Sequence, residues 1–182
     1  MTDVQDGLAR FVRAAAFAAE KHRDQRRKDA GASPYINHPL ALADVLANEG
    51  GVTDVVALCA ALLHDTVEDT ETTPEELRAA FGPDVAGVVL EVTDDKRQAK
   101  HVRKQQQIDH APHISHAAKL VKLADKICNL RDILAAPPAG WSAERKRDYF
   151  DWAARVVDGL RGAHPGLEAV FDALLARRGE LS

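Results

Sequence analysis

Nine consecutive apolar residues, Val55 to Leu63, sit between Asp54 and His64. Asp54 can cap a helix carrying this run, and such a helix is apolar on every side. It therefore cannot lie on a surface. It has to be the central element of a fold whose other segments supply the partners that cover it. The run falls far short of the roughly 20 residues that cross a bilayer.

The rest of the chain supplies partners of one kind. Leu8, Phe11, Val12, Ala15, Ala18 and Ala19 recur at helical spacing and predict a helix from about residue 5 to about residue 23. The charged stretch from His22 to Asp29, followed by Gly31, Ser33 and Pro34, reads as a loop. Pro39 suits the first position of a second helix, which runs to the Gly50-Gly51 break. Thr73-Pro74-Glu75-Glu76 has the order of a capping box. It opens a helix that ends at Gly82, and a shorter helix follows from Pro83 to about Val92. After a polar stretch, Thr93 to Arg103, helix resumes through Ile108, and Pro112 interrupts. A long helix begins at Ala117, with Leu120, Leu123, Ala124, Ile127, Leu130 and Leu134 inward, and stops at Pro137-Pro138. Ser142 caps the next, which carries a stripe of Tyr149, Trp152, Ala153, Val156 and Leu160. A final helix packs Leu167, Val170, Phe171, Leu174 and Leu175. No segment alternates with period two. The fold class is all-α, a single-domain bundle of about eight to ten helices over residues 1–182, with no internal repeat or linker.

Charge narrows the function classes. Lys and Arg number 24 against 28 Asp and Glu, a net charge of −4. A nucleic-acid binder usually carries a basic excess, so none is expected as partner, and an anionic ligand needs a local basic cluster. The N-terminus shows no signal-peptide pattern. The two cysteines, Cys59 and Cys128, lie among apolar residues and read as packing thiols of a reducing cytoplasm. The expectation is a cytoplasmic protein with no membrane partner. Oligomeric state is not legible.

The chemistry starts where the apolar run stops. His64-Asp65 ends the most apolar helix, and burying such a pair costs several kcal/mol unless the two groups pair or bind a cation. Alone, the pair also fits a helix end reaching solvent. His38 precedes a helix in Tyr35-Ile36-Asn37-His38-Pro39, and Asp125 lies on the polar side of the long helix. Two imidazoles and two carboxylates form a donor set suited to a divalent metal. This H…HD…D order is that of the HD metallophosphohydrolases.

The flanking residues narrow the likeness. His64-Asp65-Thr66-Val67-Glu68-Asp69-Thr70, Arg27-Lys28 upstream of Pro34-Tyr35-Ile36-Asn37-His38-Pro39, and Lys122-Leu123-Ala124-Asp125-Lys126 through Asn129-Leu130-Arg131 resemble the hydrolase domain of the Rel/Spo stringent-response enzymes. More narrowly, they resemble the stand-alone small alarmone hydrolases, including the metazoan SpoT-homologue type, from about Ala14 to about Gly179. The resemblance implies an all-helical fold, a bound Mn²⁺ and removal of the 3′-pyrophosphate from (p)ppGpp, a guanine nucleotide. It implies His38, His64, Asp65 and Asp125 as metal ligands. Glu68 and Asp69 become the acidic pair that handles the proton of the attacking water. These two lie four residues beyond His64 and Asp65, one turn along the same face if helical geometry continues. Without the family they read as solvated turn acids.

Arg27 and Lys28 match the family's Arg-Lys pair, which implies a nucleotide clamp: a guanidinium stacked on the purine and an ammonium at a phosphate. Arg23 and Arg26 stay open between that role and a solvated loop. Asp94-Asp95-Lys96 with Lys100, Arg103 and Lys104 forms a second charged segment, where small alarmone hydrolases place basic residues near the pyrophosphates. Lys100 is the candidate taken from it. Asn129, one turn beyond Asp125, and Tyr149 are further candidates for substrate contact. His110, His113 and His116 do not share a helical face and read as surface residues. The expected activity is that of a guanosine-3′,5′-bis(diphosphate) 3′-pyrophosphohydrolase. Two alternatives stand beside it. One is an HD phosphohydrolase acting mainly on another nucleotide such as NADPH. The other is a non-catalytic alarmone-binding module, which should have lost a ligand or the Glu-Asp pair.

Overall fold

The computed structural model describes residues 3–182. Nine α-helices follow one another among them: α1 (Asp3–Lys21), α2 (Asn37–Asp44), α3 (Val55–Leu63), α4 (Thr66–Asp69), α5 (Pro74–Val92), α6 (Lys100–His110), α7 (His116–Ala135), α8 (Ala143–Asp158) and α9 (Pro165–Leu175). Extended pairing among the described residues is limited to an isolated bridge between Arg26 and Pro34. It pinches the loop between α1 and α2.

The apolar run is α3, residue for residue. Asp54 caps it by accepting a hydrogen bond from Val56 N. Ala57 and Cys59 through Leu63 have no exposed surface. α3 packs against α1, α2, α5 and α7, while α7 also carries α9, and α6 and α8 pack on each other. Each leucine fully buried in this way stabilises the fold by roughly 1.5–3 kcal/mol. The site hangs from this arrangement: α3 delivers His64 and Asp65, and two of the helices around it, α2 and α7, deliver His38 and Asp125.

Several boundaries differ from the expectation, each for a local reason. In α1, Leu8 and Val12 face outward, and the buried stripe is Ala14 and Ala18 with Phe11 and Phe17 partly covered. α2 begins at Asn37, so Pro39 lies inside its first turn rather than at its first position. The helix continues into a π turn, Val45–Glu49, before the Gly50-Gly51 break. Thr73, Ser115 and Ser142 cap α5, α7 and α8 through their hydroxyls. His164 caps α9. Its Nδ1 accepts from Leu167 N at 3.1 Å, and its Nε2 reaches Gly50 O at 2.8 Å.

The predicted division of α5 is present as a kink. Gly82 adopts φ 82°, ψ 166°, a conformation essentially reserved for glycine. Arg10 reaches across from α1, donating to the Phe81 carbonyl and, at 2.5 Å, to Asp84 Oδ1. A Cβ at Gly82 would lie 2.9 Å from Asp84 Oδ1. Gly82→Ala is therefore expected to destabilise the protein by about 1–3 kcal/mol. In a thermal melt that is a fall of roughly 2–4 °C per kcal/mol for a chain of this size. An unchanged melting temperature would contradict this reading of the kink.

Candidate metal centre

His38 occupies the first turn of α2, His64 and Asp65 the joint between α3 and α4, and Asp125 the middle of α7. His38 and His64 are buried, and their rings lie 5.4 Å apart. One donor atom from each of His38, His64 and Asp65 falls within 4.8 Å of the others. Asp125 joins this cluster through His38, whose Nε2 is 3.2 Å from Asp125 Oδ1. The other oxygen of Asp125 accepts from Lys126 Nζ at 2.8 Å, and Asn129 Nδ2 donates to Oδ1 at 2.7 Å.

The donor set passes a chemical test for a cation. His64 Nδ1 donates to the Ala61 carbonyl at 2.8 Å, which leaves the lone pair of the neutral ring on Nε2. That Nε2 is buried and makes no hydrogen bond. Its 2.9 Å approach to Asp65 Oδ2 is contact without hydrogen-bond alignment. In the protein alone burial opposes the charged imidazolium, but Asp65 and Asp125 outweigh it and lift His64 to about 9, so these carboxylates hold on the ring a proton that a divalent ion would displace to reach the Nε2 lone pair. Burial would also raise both carboxyls. His64 outweighs it at Asp65, and Lys126 and His38 outweigh it at Asp125, so both stay ionised. An unpartnered imidazole nitrogen among ionised carboxylates is the environment a divalent ion of borderline hardness takes.

The acidic pair lies where helical continuation places it. Asp69 N bonds to Asp65 O at 2.8 Å within α4. Glu68 lines, with His38, His64, Asp65 and Asp125, a cleft of about 510 Å³. It accepts from Asp94 N at 3.1 Å, with Arg103 3.6 Å away. Burial raises its proton affinity, partly offset by the Asp94 N–H. Asp69 opens instead on a neighbouring chamber of about 600 Å³, where Lys96 pairs with it.

Arg27, His38, Asn129 and Tyr149 line both chambers, Lys28 the second and Lys100 the first. Arg27 pairs with Asp132 at 2.6 Å and lies over the Tyr35 ring. Of the two arginines left open, Arg26 lines the second chamber, whereas Arg23 is exposed and paired with Glu20. Arg103 and Lys104 line the first chamber. His110, His113 and His116 are exposed.

Sequence reasoning missed other groups here. Tyr35 donates from its hydroxyl to Asp65 Oδ2 at 2.5 Å, 3.1 Å from Asp69 Oδ2. Lys126 is buried and lies 4.4 Å from the Trp152 ring centre. Gln107 bridges Lys126 and Asp94 with the two ends of its amide. Tyr35 and Lys126 both fall inside the quoted family words, so the signal was present. What the words do not show is what their residues meet across the fold, Asp65 and Asp69 for Tyr35, and Gln107 for Lys126.

With this geometry the comparisons are specific. The HD domain family matches residues 14–151. The zebrafish (Danio rerio) protein named guanosine-3′,5′-bis(diphosphate) 3′-pyrophosphohydrolase MESH1 is 57% identical over 163 residues, covering 90% of this chain and 91% of that protein. The human (Homo sapiens) protein of the same name is 54% identical over 171 residues, covering 94% and 96%. A solved structure, of a metazoan SpoT orthologue described as hydrolysing ppGpp, superposes with a TM-score of 0.91 at 49% identity, covering 94% of this chain and 96% of that one. The chain belongs to the HD-domain family and, within it, to the group that these MESH1 proteins represent.

Removing a donor and removing a proton acceptor should separate. His64→Ala and Asp125→Asn are expected to weaken Mn²⁺ binding more than about 100-fold, since outlying partners of metal ligands alone account for 10–100-fold. Glu68→Gln is expected to keep the affinity within a few-fold. Calorimetric titration of metal-free protein measures both. Tight Mn²⁺ binding by His64→Ala would remove His64 from the ligand set.

Proposed function

We propose that the protein hydrolyses the 3′-pyrophosphate of ppGpp or pppGpp, giving GDP or GTP and pyrophosphate. In this reading residues 1–182 act as one catalytic domain, with Mn²⁺ held by His38, His64, Asp65 and Asp125. The observation that carries it is the unpartnered Nε2 of His64 beside Asp65 in a cleft edged with cations. The activity of the relatives, as their names state it, supports the substrate. Imidazole donors favour Mn²⁺ over the harder Mg²⁺. Two buried free thiols, Cys59 and Cys128, support a reducing cytoplasm as its place of action.

When bound, the ion supplies Lewis acidity toward a phosphoryl oxygen and lowers the pKa of water. The chain's own groups do the rest. Glu68, with a proton affinity raised by burial, accepts the proton as the water oxygen bonds to the phosphorus attached at the ribose 3′-oxygen. The bond from that phosphorus to the 3′-oxygen breaks, the 3′-oxygen takes up a proton to become the ribose 3′-hydroxyl, and pyrophosphate is released. Asp69, fixed by Tyr35 and Lys96, is the second proton carrier on the opposite side of Tyr35. Lys100, Arg103, Lys104 and Lys122 line the first chamber and offset the substrate's charge, which a chain of net charge −4 can do only locally. Arg27, Lys28, Asn129 and Tyr149, at or beside the junction of the chambers, hold the nucleoside and the second phosphate end.

Purified protein with Mn²⁺ should release one pyrophosphate per GDP from ppGpp and leave GTP intact, because GTP carries no phosphate at the 3′ position. Side-by-side kcat/KM values for ppGpp, pppGpp, NADPH and GTP test the assignment. NADPH exceeding ppGpp tenfold or more would keep the chemistry and overturn the substrate. Arg27→Ala should raise KM for ppGpp more than it lowers kcat, the signature of lost uniform binding. A pure kcat effect would place Arg27 in the chemical step instead.

A further inference from the structure

Between Asp65 of the metal cluster and Asp69 of the acidic pair stands the Tyr35 side chain. The Tyr35 hydroxyl is 2.5 Å from Asp65 Oδ2 and 3.1 Å from Asp69 Oδ2. It is the hydrogen-bonded link between the carboxylate offered to the ion and the carboxylate offered to the proton. Its ring is fixed independently of the hydroxyl. His22, buried at 1% exposure, stacks on it at 4.7 Å and 30°. His38 meets it edge-on at 6.2 Å, and the Arg27 guanidinium lies 5.7 Å above it. Behind the ring, His22 Nδ1 bonds to Gln25 Oε1 at 2.7 Å, and Gln25 Nε2 donates to the Asp69 carbonyl at 2.5 Å. The backbone and the side chain of Asp69 are thus both tied to the same small cluster.

From this we infer that Tyr35 is a positioning residue that sets Asp65 for the metal and Asp69 for proton transfer through one hydroxyl. The inference rests on the metal-site reading above. The same hydroxyl lies within hydrogen-bond distance of both carboxylates, 2.5 Å from Asp65 Oδ2 and 3.1 Å from Asp69 Oδ2, so one oxygen holds the two side chains in register. The one phenolic proton, donated to Asp65, fixes which way that carboxylate turns. Removing the oxygen leaves the ring contacts in place. Both carboxylates are then free to rotate, and Asp65 loses the partner that orients it.

Tyr35→Phe deletes only that oxygen. The expected result is Mn²⁺ affinity of the metal-free protein lowered about 10- to 100-fold, the range for partners that orient metal ligands. At saturating Mn²⁺, kcat for ppGpp should fall about tenfold, with KM within twofold and an unchanged melting temperature. The same substitution in an Asp69→Asn background supplies a readout that a merely structural role would not move. If the hydroxyl acts through Asp69, its effect on single-turnover rate should shrink to less than about threefold there, because neighbours in one network are not additive. Native Mn²⁺ affinity and turnover in Tyr35→Phe, or an equal loss in both backgrounds, would overturn the inference while leaving the metal site standing. If the unsubstituted protein bound no Mn²⁺, the metal-site reading would fail first and take this inference with it.

Discussion

A helix with no polar face cannot end in a histidine and an aspartate without help. From Cys59 to Leu63 α3 is fully buried, so His64 and Asp65 emerge into the interior rather than into water. Each charged group there costs several kcal/mol unless it is paired. The surrounding elements answer that cost one group at a time. Ala61 takes the Nδ1 proton of His64, and Tyr35 donates to Asp65. Asp125 faces His38 on one side and Lys126 on the other. What remains unanswered beside the carboxylates is Nε2 of His64, while His38 turns its Nε2 toward Asp125 Oδ1 at 3.2 Å. A cation is the partner whose chemistry fits that remainder, and the apolar shell that makes the site costly also strengthens every interaction within it.

The same geometry divides labour between two chambers. Glu68 and Asp69 are adjacent in sequence and sit on one turn of helix, yet they open on different spaces, with Tyr35 and His38 bordering both. A substrate with phosphate groups at two ends fits such a shape better than a simple monoester does. The cations follow the division: Lys100, Arg103, Lys104 and Lys122 line the first chamber, and Lys28 and Lys96 the second. The Lys126 ammonium is committed to Asp125 and Gln107, stiffening the wall rather than waiting for an anion.

Much of this was legible in the sequence because it rests on local rules. The apolar run defined α3 to the residue, Thr73-Pro74 defined the start of α5, and Gly82 marked its kink. The four ligand candidates came from the H…HD…D order and the family words around it, since singly each also fits a surface histidine or an exposed helical acid. The π turn after α2 and the His164 cap were not readable, since both depend on how α2, α9 and the Gly50 carbonyl meet. Leu8 and Val12 were misplaced for a related reason: α1 is apolar over more than one face, and periodicity alone cannot say which face turns inward. Tyr35 and Gln107 were not legible because their contacts with Asp69, Asp94 and Lys126 span 13 to 34 residues of sequence, and the burial of Lys126 beside Trp152 is likewise a tertiary matter. Such contacts leave no mark on local spacing.

The central claim is that one divalent ion sits where the His64 and His38 nitrogens meet the carboxylates of Asp65 and Asp125. Anomalous diffraction at the manganese edge, on crystals of the protein grown with Mn²⁺, locates that ion without reference to activity. The account predicts a single strong peak within coordination distance of all four side chains, with Glu68 and Asp69 outside it. A peak held by Glu68 or Asp69 in place of His64, or no peak between the two imidazoles at saturating Mn²⁺, would contradict it.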